Sequence, residues 1–228
     1  MRNVAAPVLY GRAEMPWTGI FSMSAVTKKK METGSQKAVW GRGYMKIAYK
    51  AFRPDLSCQA GGSTYQYQLQ NEIKEAKCRE TGFHCAEDPL DCLSYYPVWE
   101  QAVYYMVAAD GDIDEDACDS KIACTRLRLL KKMTKEAYIY VALVYMVQHP
   151  TRNWNANVKR ERAVADRNQM AVSRGKNPAA KGGLGAVLGL AKEAPDGCGI
   201  TEIAVCVVDG KRYLPDVYYD VNGNEVLI

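Results

Sequence analysis

The chain has 228 residues and a mass of 25.4 kDa, the size of one medium domain or two small ones. Hydrophobic residues make up 48% and charged residues 25%, a balance that excludes a largely disordered chain. The net charge of +4 does not indicate a nucleic-acid-binding protein. Because the longest apolar stretch (residues 137–147) is about half the length of a membrane span, we expect no membrane partner.

Charge is distributed unevenly along the chain. Residues 1–50 carry nine Lys/Arg and two Asp/Glu, whereas residues 51–150 carry ten and fifteen. Opposite charges favour docking of the two segments, within one chain or between copies. Residues 1–43 form a basic arm with no periodic pattern but with large apolar side chains, which are costly to expose. We therefore predict a homo-oligomer held partly by the arm, with these interaction residues: Trp17, Phe21, Lys28, Lys29, Lys30 and Trp40.

Residues 44–150 have the pattern of an α+β domain. Alternation of apolar and polar residues predicts five strands, at residues 45–52, 63–70, 82–85, 101–113 and 121–130. Asp88 and Pro89 fit the N-cap and first position of a helix that Pro97 ends. Residues 134–148 contain no helix breaker, so they predict a second, buried helix that ends before Pro150.

The last third of the chain differs from the first two thirds in composition. Residues 151–182 are basic and rich in small residues, which indicates either a flexible linker or a short repeat of stacked β-solenoid coils. Residues 183–228 predict a β meander with Asp-Gly and Asn-Gly hairpin turns. The predicted fold class is thus α+β: a mixed, mostly antiparallel β domain with two helices, followed by a small-residue linker and a C-terminal β meander.

The eight cysteines contain no C-x-x-C pair, and the chain shows no export signal, so we expect reduced, mostly buried thiols. The sharper alternative is a zinc site formed by Cys78, His84, Cys85 and Cys92. That spacing lacks the close pair of ligands typical of a structural zinc site. We therefore expect no metal and no cofactor.

An acidic run at residues 110–119 superficially resembles a calcium-binding loop. Glu115 stands where that loop needs glycine, and Lys121 stands where it needs a glutamate ligand. We therefore interpret the run as an exposed acidic turn. His84 remains the most interesting titratable residue, because the chain has only two histidines for proton transfer near neutral pH. The alternative is a histidine that is simply hydrogen-bonded at a strand edge.

Several motifs resemble a family of domains of unknown function that is common in phage and prophage genomes. The resemblance lies in CRETGFHCAEDPLDCLSYYP, in the following DSKIAC strand, and in the closing AKGGLG and VDGKRYLPDVYY segments. It covers about residues 46–228 and departs from the family at Cys85-Ala86, where the family more often has the reverse order. The resemblance implies a phage setting, in the host cytoplasm or the virion, and no known activity.

A second resemblance is to the ADP-ribosyltransferase core, in which a basic strand precedes a G-[FI]-[HY] strand and an aromatic helix. It implies that Lys50 or Arg53 would hold the phosphates of the cofactor and that His84 would approach its ribose. Tyr95 or Tyr96 would stack on the nicotinamide, and Glu136 would be the catalytic glutamate, although no motif marks it.

Two functions from different classes follow from these observations. The first is a phage-encoded, non-enzymatic protein that binds a phage or host protein, as a virion accessory or a counter-defence factor. The alternative is an enzyme that acts on NAD or another nucleotide, centred on His84. A cavity at His84 would favour the enzyme, and its absence would favour the binding protein.

Overall fold

The computed structural model describes residues 19–22, 45–60, 63–116 and 119–227. Half of these residues lie in strands and 13% are helical. The first eight strands are β1 (Gly19–Ser22), β2 (Lys46–Phe52), β3 (Ser57–Ala60), β4 (Ser63–Gln66), β5 (Gln70–Glu72), β6 (Phe83–Ala86), β7 (Val103–Glu115) and β8 (Lys121–Lys132). Helix α1 (Lys135–Gln148) precedes β9 (Val158–Ala165), β10 (Met170–Gly182), β11 (Val187–Glu193), β12 (Ile200–Val207), β13 (Tyr218–Asp220) and β14 (Glu225–Val226).

The first half of the chain forms a small closed barrel. Strand β2 pairs with β6 and β7, and β8 also pairs with β6 and β7, so the four antiparallel strands close a ring. Strand β5 adds to the outside of β8, and β3 and β4 form a separate hairpin. Closure pairs the backbone N–H and C=O groups that an open four-stranded sheet would leave unpaired at its two edges. The interior is filled by apolar side chains, among them Phe52, Phe83, Val107, Ile122 and Leu127.

The helical part of the prediction is half right. Helix α1 begins after Thr134, whose side chain accepts the N–H of Ala137, as expected for an N-cap. Asp88 likewise caps the N–H of Leu90, but the segment Pro89–Ser94 is a 3₁₀-helix. Six residues give too few hydrogen bonds for a stable α-helix. The fold is therefore mostly β, with one α-helix in the described residues, and the predicted α+β class is wrong.

The segment predicted as a linker or short repeat belongs to a second sheet. Strands β9, β10 and β11 run parallel: Ala163 lies beside Ala180, and Met170 lies beside Val187. Parallel neighbours usually need crossovers of about a dozen residues, but only residues 166–169 and 183–186 join these strands. The long strand β10 must therefore bend, and its register shifts between Arg174 and Ala179. The chain winds in stacked coils, so a small-residue linker is the wrong description.

Small side chains permit this stacking. A Cβ atom added to Gly182 would lie 2.6 Å from the Cβ atom of Ala186. The remaining strands extend the sheet in the order β1-β12-β11-β10-β13-β14. The pairs β11–β12 and β13–β14 are antiparallel, but β13 pairs with β10 and not with β12, so the predicted C-terminal meander is wrong.

Helix α1 lies between the barrel and the second sheet. Tyr138 faces the barrel, where its hydroxyl donates to the carbonyl of Pro89. Ile139 and Leu143 are fully buried in the same apolar cluster as Val187 and Val205 of the second sheet. One continuous core thus joins the two sheets. No helix in the described residues is long and apolar enough to cross a membrane.

Candidate functional site

His84 lies on β6 and is occupied by internal hydrogen bonds. Its Nε2 atom accepts the backbone N–H of Arg79 at 2.9 Å. Its carbonyl oxygen accepts the ammonium group of Lys50 at 2.5 Å. Burial, followed by the positive charges of Lys50 and Lys121, lowers the pKa of His84. The imidazole is therefore neutral at physiological pH and carries its proton on Nδ1.

Lys50 points into the barrel rather than toward solvent. The residue is 9% exposed, and its Nζ atom lies 5.4 Å from the ring centre of Phe52 and 4.9 Å from that of Tyr67. Ring faces and a backbone carbonyl are the partners that a buried ammonium group needs. In this position Lys50 supports the interior of the barrel and does not present its charge to a cofactor phosphate.

The other residues of the transferase hypothesis lie apart from His84. Arg53 is exposed and donates to the side chain of Gln59 at 3.0 Å. The Tyr96 hydroxyl contacts the thiol of Cys58 at 3.4 Å, and the exposed Tyr95 ring lies below the Lys121 ammonium group, 4.6 Å from it.

Glu136 lies in the first turn of α1. Within the described residues, no hydrogen bond or ring contact joins His84 to Tyr95, Tyr96 or Glu136. The structure thus brings His84 together with Lys50 alone among the predicted catalytic and cofactor-binding residues.

The proposed zinc ligands are not gathered around one point. The thiol of Cys78 faces the carbonyl of Lys121, and that of Cys92 faces the carbonyl of Tyr49. Cys85 is buried next to Cys124 inside the barrel. In the part of the chain that the structure describes, no three His, Cys, Asp or Glu residues are placed to hold a metal ion. That the protein binds no zinc stays a prediction, which elemental analysis of the purified protein tests.

A cleft of about 590 Å³ opens where the barrel meets residues 152–156. Its lining is acidic, with these carboxylates against Lys121 and Arg152: Glu87, Asp88, Asp91, Glu115, Asp116 and Asp119. Burial, followed by the nearby charge of Asp91, raises the pKa of Asp88 to about 6. The acidic run that we interpreted as a turn is instead largely part of β7, which extends to Glu115.

Asp91 and Ser120 connect three segments beside this cleft. The Asp91 carboxylate accepts the hydroxyl and the backbone N–H of Ser120, and it also accepts the side-chain amide of Asn155. The Ser120 hydroxyl in turn accepts the N–H of Asp88 at 2.9 Å. The PLD and DSK motifs therefore join the 3₁₀-helix to the start of β8, which is a structural role.

Comparison with known proteins supports one assignment. Residues 46–141 match the family Domain of unknown function (DUF7666). They form a DUF7666 domain. The match begins with β2, includes the whole barrel and ends within α1. No curated protein matches the chain, and no solved structure matches it.

A groove of about 470 Å³ separates the DUF7666 domain from the first coil, residues 157–172, which contains β9 and the start of β10. On the domain side it is lined by Leu93, Pro97 and Val98. On the coil side the lining mixes apolar and polar residues. The apolar ones are Ala163, Val164, Ala165, Met170, Ala171 and Val172, and the polar ones are Asn157, Lys159, Asp166, Arg167 and Gln169. Sequence reasoning missed this groove because its two walls are about 60 residues apart in the chain.

Two solvent-facing apolar side chains mark the walls of the groove. Val164 is 58% exposed and Val98 is 37% exposed. The sequence around each of these residues contains no pattern that would have identified it as part of a binding surface. None of the three cavities described (the groove, the acidic cleft and a small void beside Trp154) is lined by His84.

Most of the predicted interaction residues lie outside the described residues: Trp17, Lys28, Lys29, Lys30 and Trp40. Phe21 lies in β1, opposite Ile203 of β12.

Proposed function

We propose that the protein is a non-enzymatic, protein-binding protein that contacts its partner through the groove between the DUF7666 domain and the first coil. The observation that carries this proposal is that two apolar side chains, Val164 and Val98, are exposed to solvent on opposite walls of the groove. Contiguous exposed apolar surface is typical of sites that bind other proteins.

The contrast with His84 supports the same proposal. A catalytic histidine must reach a substrate proton, whereas the Nε2 atom of His84 accepts the N–H of Arg79. A phosphate-binding lysine must reach solvent, whereas Lys50 is 9% exposed. The alternative function, an enzyme that acts on NAD or another nucleotide, would require both groups to leave these contacts. A rise in melting temperature on addition of NAD, or NAD cleavage that is lost in His84→Ala, would favour that alternative.

We place the protein in a phage setting, as a virion accessory or a counter-defence factor in the host cytoplasm. The support is the resemblance of the GFHC, PLD and DSK motifs to domains encoded by phages and prophages. Genome neighbours distinguish the two roles, because tail and capsid genes favour the virion and small early genes favour counter-defence.

We further propose a homo-oligomer in which the basic arm (residues 1–43), apart from β1, which pairs with β12 of its own chain, contacts a neighbouring copy. The acidic lining of the barrel cleft supports this arrangement, since opposite charges steer and align partners. Light scattering of the full chain should give a multiple of 25.4 kDa. The protein that lacks residues 1–43 should instead have the mass of a single shortened chain. A monomeric mass for both proteins would contradict this part of the proposal.

A capture experiment with matched variants tests the groove. The tagged full-length protein and its Val164→Glu variant are each used to capture proteins from a lysate of the host infected by the phage. We expect one specific protein to be lost with Val164→Glu and retained with Leu214→Glu, because Leu214 is 41% exposed but lies outside the groove. Equal capture by wild type and Val164→Glu would contradict the proposal.

A further inference from the structure

Strand β9 has a free edge. It pairs with β10 on one side, and no described strand pairs with its other side. Along β9 the residues Lys159, Arg160, Arg162 and Val164 are exposed. Unpaired edges of this kind accept an added strand, because their N–H and C=O groups lack partners.

The main-chain groups of Val164 point toward the groove. The carbonyl of Ala165 accepts the N–H of Gly183, so Ala165 faces the neighbouring coil. Because hydrogen-bonding directions alternate along a strand, Val164 and Arg162 direct their N–H and C=O groups to the opposite side. Val164 lines the same groove as the exposed Val98 and Pro97 of the barrel domain.

The available length of this edge is limited. Glu161 has a φ of 60°, and its carboxylate accepts the N–H groups of Lys176 and Asn177 at 2.9 Å each. This bulge interrupts the strand before Arg162 and keeps Glu161 directed at β10. The regular free edge thus runs from Arg162 to Ala165, enough for a short added strand.

The charge at the groove favours an acidic partner. Lys159 and Arg167 line the groove, and Asp166 is the single carboxylate among its lining residues. Arg160 and Arg162 extend the positive charge along β9. Since Glu161 is occupied by two backbone N–H groups, the rim that a partner meets is basic, above an apolar floor.

We propose that an extended partner segment, in which apolar and acidic side chains alternate, adds as a strand to the Arg162–Ala165 edge of β9. Its apolar side chains would face the groove floor and its carboxylates would face Lys159 and Arg167. This inference rests on the proposed protein-binding function and specifies the kind of partner that the groove accepts.

The test uses a defined probe, a fluorescent six-residue peptide in which valine alternates with glutamate, added to the full-length protein. We expect binding by fluorescence anisotropy, and slower hydrogen exchange of the Val164 amide when the peptide is bound. The same peptide with lysine in place of glutamate should bind at least about tenfold more weakly. Failure of the glutamate peptide to bind, or equal binding of the two peptides, would overturn the proposal.

Variants separate strand addition from simple charge attraction. Val164→Pro removes an outward N–H that no described strand uses, and proline is tolerated at an edge strand, so the fold should survive. We expect this variant to lose peptide binding while Val164→Thr keeps it. Lys159→Glu should weaken binding about tenfold, whereas Lys211→Glu, exposed but outside the groove, should not. Unchanged binding by a folded Val164→Pro variant would overturn strand addition.

These outcomes differ from a failure of the proposed function. If Val164→Glu captures the same partner as wild type, the groove is not the binding surface. If Val164→Glu loses the partner but Val164→Pro and Lys159→Glu keep it, the groove binds protein by another mode and only the strand inference is wrong.

Discussion

The Nε2 atom of His84 accepts the backbone N–H of Arg79, a residue with a φ of 69°. Left-handed backbone geometry is unfavourable for a side chain of this size, so the loop before β6 needs such a contact to hold it. Cys78, the preceding residue, donates its N–H to the Asp114 carboxylate at 2.7 Å. His84 and Asp114 thus fix the loop to the barrel, which gives this histidine a structural role.

Replacement of His84 by alanine should lower the free energy of unfolding by about 0.5–1.5 kcal/mol, because the exposed Arg79 N–H exchanges its hydrogen bond to His84 for one to water. Denaturant unfolding at pH 7.5 measures the change. The comparison is His149→Ala, which should cost less because the exposed His149 ring contacts Tyr145 four residues earlier in its own chain segment and does not hold a left-handed residue. Equal losses for the two variants would contradict this account.

The stability loss of the His84→Ala variant should depend on pH. The fold lowers the pKa of His84, so the stabilisation is complete above the unfolded value of about 6.5 and is lost as the pH falls through the folded value. The difference in unfolding free energy between wild type and His84→Ala should therefore shrink between pH 7.5 and pH 5. A constant difference would show that His84 is not the titrating group.

The barrel strands were largely predictable, whereas their closure was not. Alternation of apolar and polar residues identifies strands at β2, β6, β7 and β8, and the structure confirms each of them. Closure depends on which strands pair. The pairs β6–β8 and β2–β7 join residues that lie between 35 and 63 positions apart in the sequence, and local patterns carry no information about such pairs.

The coils and the groove were less predictable from the sequence than the barrel. Residues 170 and 187, and residues 175 and 192, lie side by side in adjacent coils, a separation of 17 residues that repeats too few times to form a visible repeat. The small residues between positions 163 and 185 are equally typical of a linker and of a tight stack. Deciding between them requires the packing partner, which a single sequence does not show.

Asp88→Asn should stabilise the protein at neutral pH. The folded state raises the pKa of Asp88 from 3.8 to about 6, so ionisation of this buried carboxyl costs about 3 kcal/mol above that pH. Asparagine keeps a side-chain oxygen for the N–H of Leu90, which Asp88 accepts at 2.9 Å. We expect the melting temperature to rise at pH 7.5 and the gain to disappear below about pH 4.

Asp91→Asn is the matched control for this carboxylate. Asp91 accepts hydrogen bonds from both Ser120 and Asn155, so its replacement should destabilise the protein at pH 7.5. A gain from Asp91→Asn, or a loss from Asp88→Asn, would contradict the assignment of the two roles.

Ser173→Ala should also stabilise the protein. Ser173 is fully buried in β10, and its hydroxyl is the buried side-chain group without a hydrogen-bond partner among the described residues. Removal of such a group should gain about 1–2 kcal/mol of unfolding free energy. Ser120→Ala is the control, because the Ser120 hydroxyl donates to Asp91 and accepts from Asp88, and this variant should lose stability. Calorimetry measures the stability of both variants. A change of the unfolding free energy in the same direction for both would contradict the prediction.

Gly189→Ala should weaken the contact between helix α1 and the second sheet. A Cβ atom at position 189 would lie 2.6 Å from the Cγ2 atom of Ile139 and 3.4 Å from that of Val172. Ile139 is fully buried on α1, so the methyl group must displace the helix or force Ile139 out of its rotamer. Overpacking of this kind costs about 1–3 kcal/mol, measured as a lower midpoint of denaturant unfolding.

Gly199→Ala provides the comparison for this substitution. No atom lies within 4 Å of a Cβ atom built at position 199, so the added methyl group meets no neighbour and should leave stability unchanged or slightly higher. If Gly189→Ala proved as harmless as Gly199→Ala, α1 would not be packed against β11 as closely as the structure places it. If both variants lost stability, the loss would follow from backbone conformation and not from the helix contact.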